Sequence, residues 1–153
     1  MSIVTESVTV KAPIEKVFAA YVERIDDWWP RRTDNFRFTF APSDVDPLHI
    51  RFEPQAGGRL YETFANGDEF VIGRITDYQP PQRLAYTWQD PDWPAETLVE
   101  IEFAQSGDQT TLSLRHSGFE KLDAPGMAAG YQQGSKEIYA IFKAWLEQHL
   151  VES

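Results

Sequence analysis

Two polar side chains stand where the strand patterns of this chain call for apolar ones: Glu62 in "RLYETF" and His116 in "TLSLRHS". A carboxylate and an imidazole turned into one apolar interior are equipped for acid–base chemistry, because histidine titrates near neutrality and burial moves a carboxyl group towards it. If the two touch they titrate as a coupled pair, desolvation raising the carboxyl pKa and a charged imidazole lowering it. A structural role is the competing reading, in which a cross-strand or helix-borne donor satisfies Glu62 and a backbone carbonyl holds His116. Glu62 and His116 are the candidate catalytic residues, with both readings open.

Aromatic and small residues supply candidate walls around them. Trp28 and Trp29 fall where short helices should close an interior hollow, Tyr86 and Trp88 on a strand that floors it, and Tyr131 and Ser135 on the inner face of a terminal helix. Together with Glu62 and His116 they form the candidate ligand-binding set, against plain core packing for each ring. Gly134 and Ser135 are small either to leave ligand volume or to let the helix approach the sheet.

Other chemistries find no support. The chain has no cysteine, which removes disulfides, thiolate nucleophiles and Cys-based zinc sites. Its three histidines, His49, His116 and His149, include no His-x-x-x-His or Glu-x-x-His pair, so no metal is expected. There is no phosphate-cradling glycine motif and no context for a serine triad, and no cofactor is expected. A formal charge of -10, from 14 basic and 24 acidic residues, opposes nucleic acid or an anionic membrane as partner. Neither a secretory leader nor a run of about 20 apolar residues is present, so a cytoplasmic protein without membrane insertion is expected, with a homodimer allowed.

The elements that must position these residues follow from periodicity. Residues 1–153 read as a single domain, large enough to bury about 70% of its unfolded surface. "IVTESVTV" alternates as a strand over Ile3–Val10; "APIEKVFAAYVERIDDWW" then predicts a short helix with Pro13 in its first turn and a second helical turn reaching Trp28-Trp29. "LHIRFEP" is a strand, "RLAYTWQ" aligns Leu84, Tyr86 and Trp88, and "TLVEIEFAQ" turns Val99, Ile101 and Phe103 inward. Leu112 and Leu114 share a face with His116. From Ala124 onward a helical period sets Tyr131, Ile138, Phe142, Trp145 and His149 on the inner face and Gln132 on the outer one.

The hairpin that carries Glu62 depends on its turn. Asn66-Gly67 suits a two-residue turn with Ala65 opposite Asp68, which sets Leu60, Glu62, Phe64, Val71, Gly73 and Ile75 on one face. Slipping by one residue would instead turn Arg59 and Arg74 inward.

Strand, two short helices, about six further antiparallel strands and a terminal helix make an α+β unit in which a curled sheet and the helix enclose a hollow. The succession "VKAPIEKVFAAYV", "WWP", "RFEPQAGGRLYE", "GRITDYQPPQRLAYTW", "TLSLRHSGFE" and "GYQQGSKEIYAIFKAWL" resembles the family of activator of heat-shock protein 90 ATPase homologues, in the START-like (SRPBCC, birch-pollen-allergen-like) superfamily. The resemblance implies a helix-grip fold: a curved sheet of about seven strands around the C-terminal helix and a deep, mostly apolar cavity. It also implies binding of a small hydrophobic molecule. Two alternatives accompany it: a cyclase- or hydrolase-like enzyme using Glu62 and His116, and a chaperone-interaction module. The eukaryotic co-chaperone's additional N-terminal chaperone-binding domain is not expected here.

Overall fold

The computed structural model describes residues 3–150. In chain order the elements are β1 (Val4–Val10), α1 (Ile14–Glu23), α2 (Ile25–Trp28), β2 (Pro47–Phe52), β3 (Arg59–Phe64), β4 (Glu69–Gln79), β5 (Arg83–Trp88), β6 (Thr97–Ser106), β7 (Gln109–Ser117) and α3 (Met127–His149). The seven strands form one antiparallel sheet in the order β1-β7-β6-β5-β4-β3-β2, a meander from β2 to β7 with β1 added beside β7. The sheet curls around α3, which gives the expected α+β helix-grip architecture. Residues 1, 2 and 151–153 of the single domain expected over 1–153 lie outside the described residues. No helix among the described residues is long and apolar enough to cross a membrane.

Alternation decides the concave face. Val99, Ile101 and Phe103 of β6 and Leu112, Leu114 and His116 of β7 are buried, while Glu102, Ser113 and Arg115 between them are exposed. Pro13 stands just before α1 rather than within its first turn, and the helix buries Val17, Phe18 and Tyr21 against the sheet.

Each edge strand is capped by a side chain from a helix. Gln132 of α3, expected on the solvent side, accepts from the Thr5 N–H at 3.1 Å and donates to the Thr5 carbonyl at 2.7 Å, so that its amide mimics a neighbouring strand for β1. At the opposite edge Asp26 of α2 accepts from the Ile50 N–H at 3.0 Å and pairs with Arg31 and His49.

The β3–β4 hairpin differs from the two-residue expectation. The Phe64 N–H donates to the Asp68 carbonyl and the Gly67 N–H to the Phe64 carbonyl, which makes Ala65-Asn66-Gly67 a three-residue loop with Gly67 at φ 91°. An Asn-Gly pair serves both loop lengths: a two-residue turn needs both residues left-handed, which asparagine tolerates, whereas the three-residue loop needs only Gly67 there. Glu62 therefore opposes Phe70 instead of Val71; Phe70 and Ile72 turn inward, and Val71 is exposed. A bulge at Ile72 then restores the expected phase, pairing Leu60 with Gly73 and returning Ile75 to the core. On β3 itself the expected inner residues, Leu60, Glu62 and Phe64, are all buried.

The inner stripe of α3 also differs. Gly134, Ile138, Tyr139, Phe142 and Leu146 are buried, in place of the Trp145 and His149 that the period suggested. Steps of four carry the stripe to Leu146. The larger Trp145 indole lies half-buried at the helix edge, 4.7 Å from the Arg24 guanidinium and stacked on the His149 ring at 4.4 Å.

Candidate functional site

Between α3, the floor formed by β5–β7 and the segment joining α2 to β2 lies a hollow of about 340 Å³. The joining segment is its roof. Phe36, Phe38 and Phe40 alternate in sequence as a strand would, yet their backbone runs irregularly and all three rings line the hollow. The roof is pinned from several sides: the Trp29 indole N–H donates to the Phe38 carbonyl at 3.0 Å, and Thr33 and Asn35 donate to the Glu137 carboxylate of α3 at 2.6 and 3.0 Å.

Glu62 belongs to this pinning. It is 2% exposed, and its carboxylate accepts from the Phe40 N–H at 2.9 Å and from the Thr39 hydroxyl. The strand carboxylate holds the roof backbone from outside the hollow's wall. Glu62 bonds neither to His116 nor to a helix-borne donor: its partners are Thr39 and Phe40 of the roof, and that of His116 is Thr97. The reason lies in the sheet, where β3 and β7 are separated by three intervening strands.

His116 does reach the hollow. Its Nε2 lies 2.6 Å from the Thr97 hydroxyl, which in turn donates to the Trp88 carbonyl at 2.9 Å. A carbonyl only accepts, so the single Thr97 proton is spent there and the imidazole must donate through Nε2–H. Nδ1 is then the lone-pair nitrogen. Burial pushes the imidazole pKa down from 6.5 to about 3, which keeps the ring neutral. No buried side-chain nitrogen or oxygen among the described residues lacks a partner; Nδ1, with none, is therefore open to the hollow that its ring lines.

Of the other sequence candidates, Trp29, Tyr86, Trp88, Tyr131 and Ser135 line the hollow. Trp28 does not. It is buried against Phe142 at 4.2 Å between ring centres, with its indole N–H donating to the Ala20 carbonyl. Of the two small helix residues, Gly134 lets the roof approach, since a Cβ there would meet the Phe38 ring at 3.3 Å, while Ser135 faces the free volume.

Two polar groups escape a reading by periodicity. Asp90, in the turn after β5, accepts from the Trp88 indole N–H at 2.9 Å and from the Tyr131 hydroxyl at 2.7 Å, and it too lines the hollow. Burial raises its carboxyl pKa against the opposing effect of those two donors. The second group is a tyrosine cluster: the Tyr21 hydroxyl lies 2.8 Å from that of Tyr86 and 2.7 Å from that of Tyr139, all three buried and each phenol raised by desolvation first of all. A turn-rich "DPDWPAE" segment beside an aromatic strand was the available signal for Asp90; for the cluster there was none, because its members come from α1, β5 and α3. Among the described residues no group of three or more His, Cys, Asp or Glu side chains could hold a metal ion.

Solved structures with this fold include an anthrahydroquino-gamma-pyrone synthase, Txn09, at 28% identity and TM-score 0.64, covering 94% of this chain and 96% of that one. Protein MLL2253 from Mesorhizobium loti matches at 19% identity and TM-score 0.69, over 96% of this chain and 98% of that one. DynU16, from the dynemicin biosynthetic locus, matches at 19% identity and TM-score 0.71, over 98% of this chain but 49% of the other. No curated protein sequence matches. The profile of the family described as activator of Hsp90 ATPase homolog 1-like protein matches residues 11–147. With that match running through β5, the roof and α3, which together build the hollow, the chain belongs to the family of activator of Hsp90 ATPase homolog 1-like proteins.

Proposed function

We propose that the protein is a non-enzymatic binding domain whose hollow takes up a flat, largely apolar small molecule. The observation that carries this reading is the wall itself: about 340 Å³ lined by aromatic rings and aliphatic side chains, with Trp29 and Phe40 each 6.0 Å from Trp88, and a few polar groups set among them. That volume lies in the range of ligand sites, and such walls suit planar ligands. Trp88, Tyr86, Tyr131, Trp29, His116 and Ser135 are the contact residues in this reading. Glu62 acts indirectly, by holding Phe40 in the roof.

A second reading, cyclase-like catalysis in the same hollow, is favoured by the 28% identity to a gamma-pyrone synthase over nearly the whole chain. In it the groups available for proton transfer are the lone pair of His116 Nδ1 and the Asp90 carboxylate, not Glu62. Turnover lost in both His116→Gln and Asp90→Asn, with the fold intact, would separate catalysis from binding.

The binding reading is tested with a neutral fluorescent probe, N-phenylnaphthylamine. Saturable binding with quenching of tryptophan emission is expected, weakened about tenfold or more by Trp88→Ala and removed by Ser135→Phe, which fills the hollow. Absence of saturable binding, or affinities unchanged in both variants, would overturn it.

A further inference from the structure

We propose that the hollow selects organic cations: an aromatic or similarly flat body carrying a protonated amine, which is seated against Asp90. This deepens the cavity-binding reading above and rests on it.

The starting point is an imbalance of charge. Asp90 is the carboxylate in the wall, yet the two groups bonded to it, the Trp88 indole N–H and the Tyr131 hydroxyl, are neutral. None of the ion pairs among the described residues includes it, and the nearby charge that acts on it is another carboxylate, Asp92, which repels it. The cationic side chain of the lining, Arg37, is exposed, with its Nη2 3.5 Å from the Pro42 carbonyl. Both donors to Asp90 converge on Oδ1, with Tyr131 shared to Oδ2 at 2.8 Å, so Oδ2 keeps lone-pair capacity for a further donor.

A neutral or anionic ligand filling the hollow would strip water from this carboxylate and offer no counter-charge. A protonated amine offers both charge and N–H donors. The neighbouring rings add to this preference. Trp88 has Trp29 and Phe40 at 6.0 Å and Tyr131 at 6.4 Å between centres, a set of π faces of the kind that attracts cations. His116, whose ring lies 5.5 Å from that of Tyr131, contributes a lone pair at Nδ1 and so also calls for a donor on the ligand. A net charge of -10 favours the approach of cations over anions.

The test uses three probes of one shape: naphthylmethylamine, which is protonated at neutral pH, naphthylmethanol, and naphthoate. Titration of the wild-type protein, followed by calorimetry and tryptophan quenching, is expected to rank the amine about tenfold or more tighter than the alcohol, with naphthoate weakest. Asp90→Asn, checked for an unchanged circular-dichroism spectrum, is expected to abolish the preference, bringing the ratio of amine to alcohol affinity from about ten or more down to about one. Naphthoate binding as tightly as the amine, or an amine preference that survives Asp90→Asn, overturns the inference. Alcohol bound without any preference for the amine overturns it while leaving the cavity reading standing. Failure of all three probes to bind removes the cavity reading and this inference with it.

Discussion

The Nε2–H of His116 is held 2.6 Å from the Thr97 hydroxyl oxygen, while that hydroxyl's own proton goes to the carbonyl of Trp88. This relay fixes the tautomer and leaves the ring neutral. Its pKa is about 3 in the folded chain and 6.5 without burial, so between these values the unfolded chain binds a proton that the native state does not. The stabilising contribution is therefore complete above the unfolded value and is lost as pH falls below it, at up to about 1.4 kcal/mol per pH unit. Urea unfolding from neutrality down to about pH 4.5 should show a shallower loss for His116→Gln than for the parent. Equal slopes would mean that His116 is not held neutral.

Glu62 holds the roof through the Phe40 amide and the Thr39 hydroxyl. Glu62→Gln replaces an acceptor-only group with one that presents an N–H₂ to those donors, at an expected loss of about 1.5–3 kcal/mol. Hydrogen exchange at the Phe40 amide should accelerate by more than the global change in stability accounts for. An amide that stays as protected as in the parent would refute the tether.

On α3, Phe142 keeps the buried place that periodicity gave it, while Trp145 does not. Phe142 is fully buried and packs on Trp28 and Tyr21, so Phe142→Ala should cost about 3–5 kcal/mol. Trp145→Ala removes only the half-buried stack under Arg24 and should cost about 1–2 kcal/mol. Thermal melts of the two variants compare them directly, and an equal drop would contradict the stripe ending at Leu146.

Two glycines should respond in opposite directions to alanine. At Gly73 a Cβ would stand 1.7 Å from the Thr87 carbonyl oxygen, so Gly73→Ala forces β4 and β5 apart at an expected cost of about 3 kcal/mol or more. At Gly130, inside α3, a Cβ would meet nothing within 4 Å, and Gly130→Ala should stabilise by about 0.5–1 kcal/mol. Midpoints of denaturant unfolding measure both. A neutral Gly73→Ala would show that the bulged crossing of β4 over β5 is looser than described.

The sequence by itself determined the elements and most of the faces they bury. Alternation in β6 and β7 and the helical period of α1 depend on bonds between near neighbours along the chain, and solvent enforces them residue by residue. It also turned Glu62 and His116 inward, because moving either out would have buried arginines or exposed a row of leucines and isoleucines. What only the tertiary structure decided is which of these inward groups meet. A register difference of one residue between a two- and a three-residue loop leaves the Asn-Gly signal unchanged, yet it exchanges Val71 for Phe70 and Ile72 inside. Strand order separates Glu62 from His116, and an irregular turn carries Asp90 to Tyr131 across 41 residues of chain. Such contacts follow from the curl of the sheet and the path of the roof, both set by packing summed over the whole molecule, and no short window of sequence contains that sum.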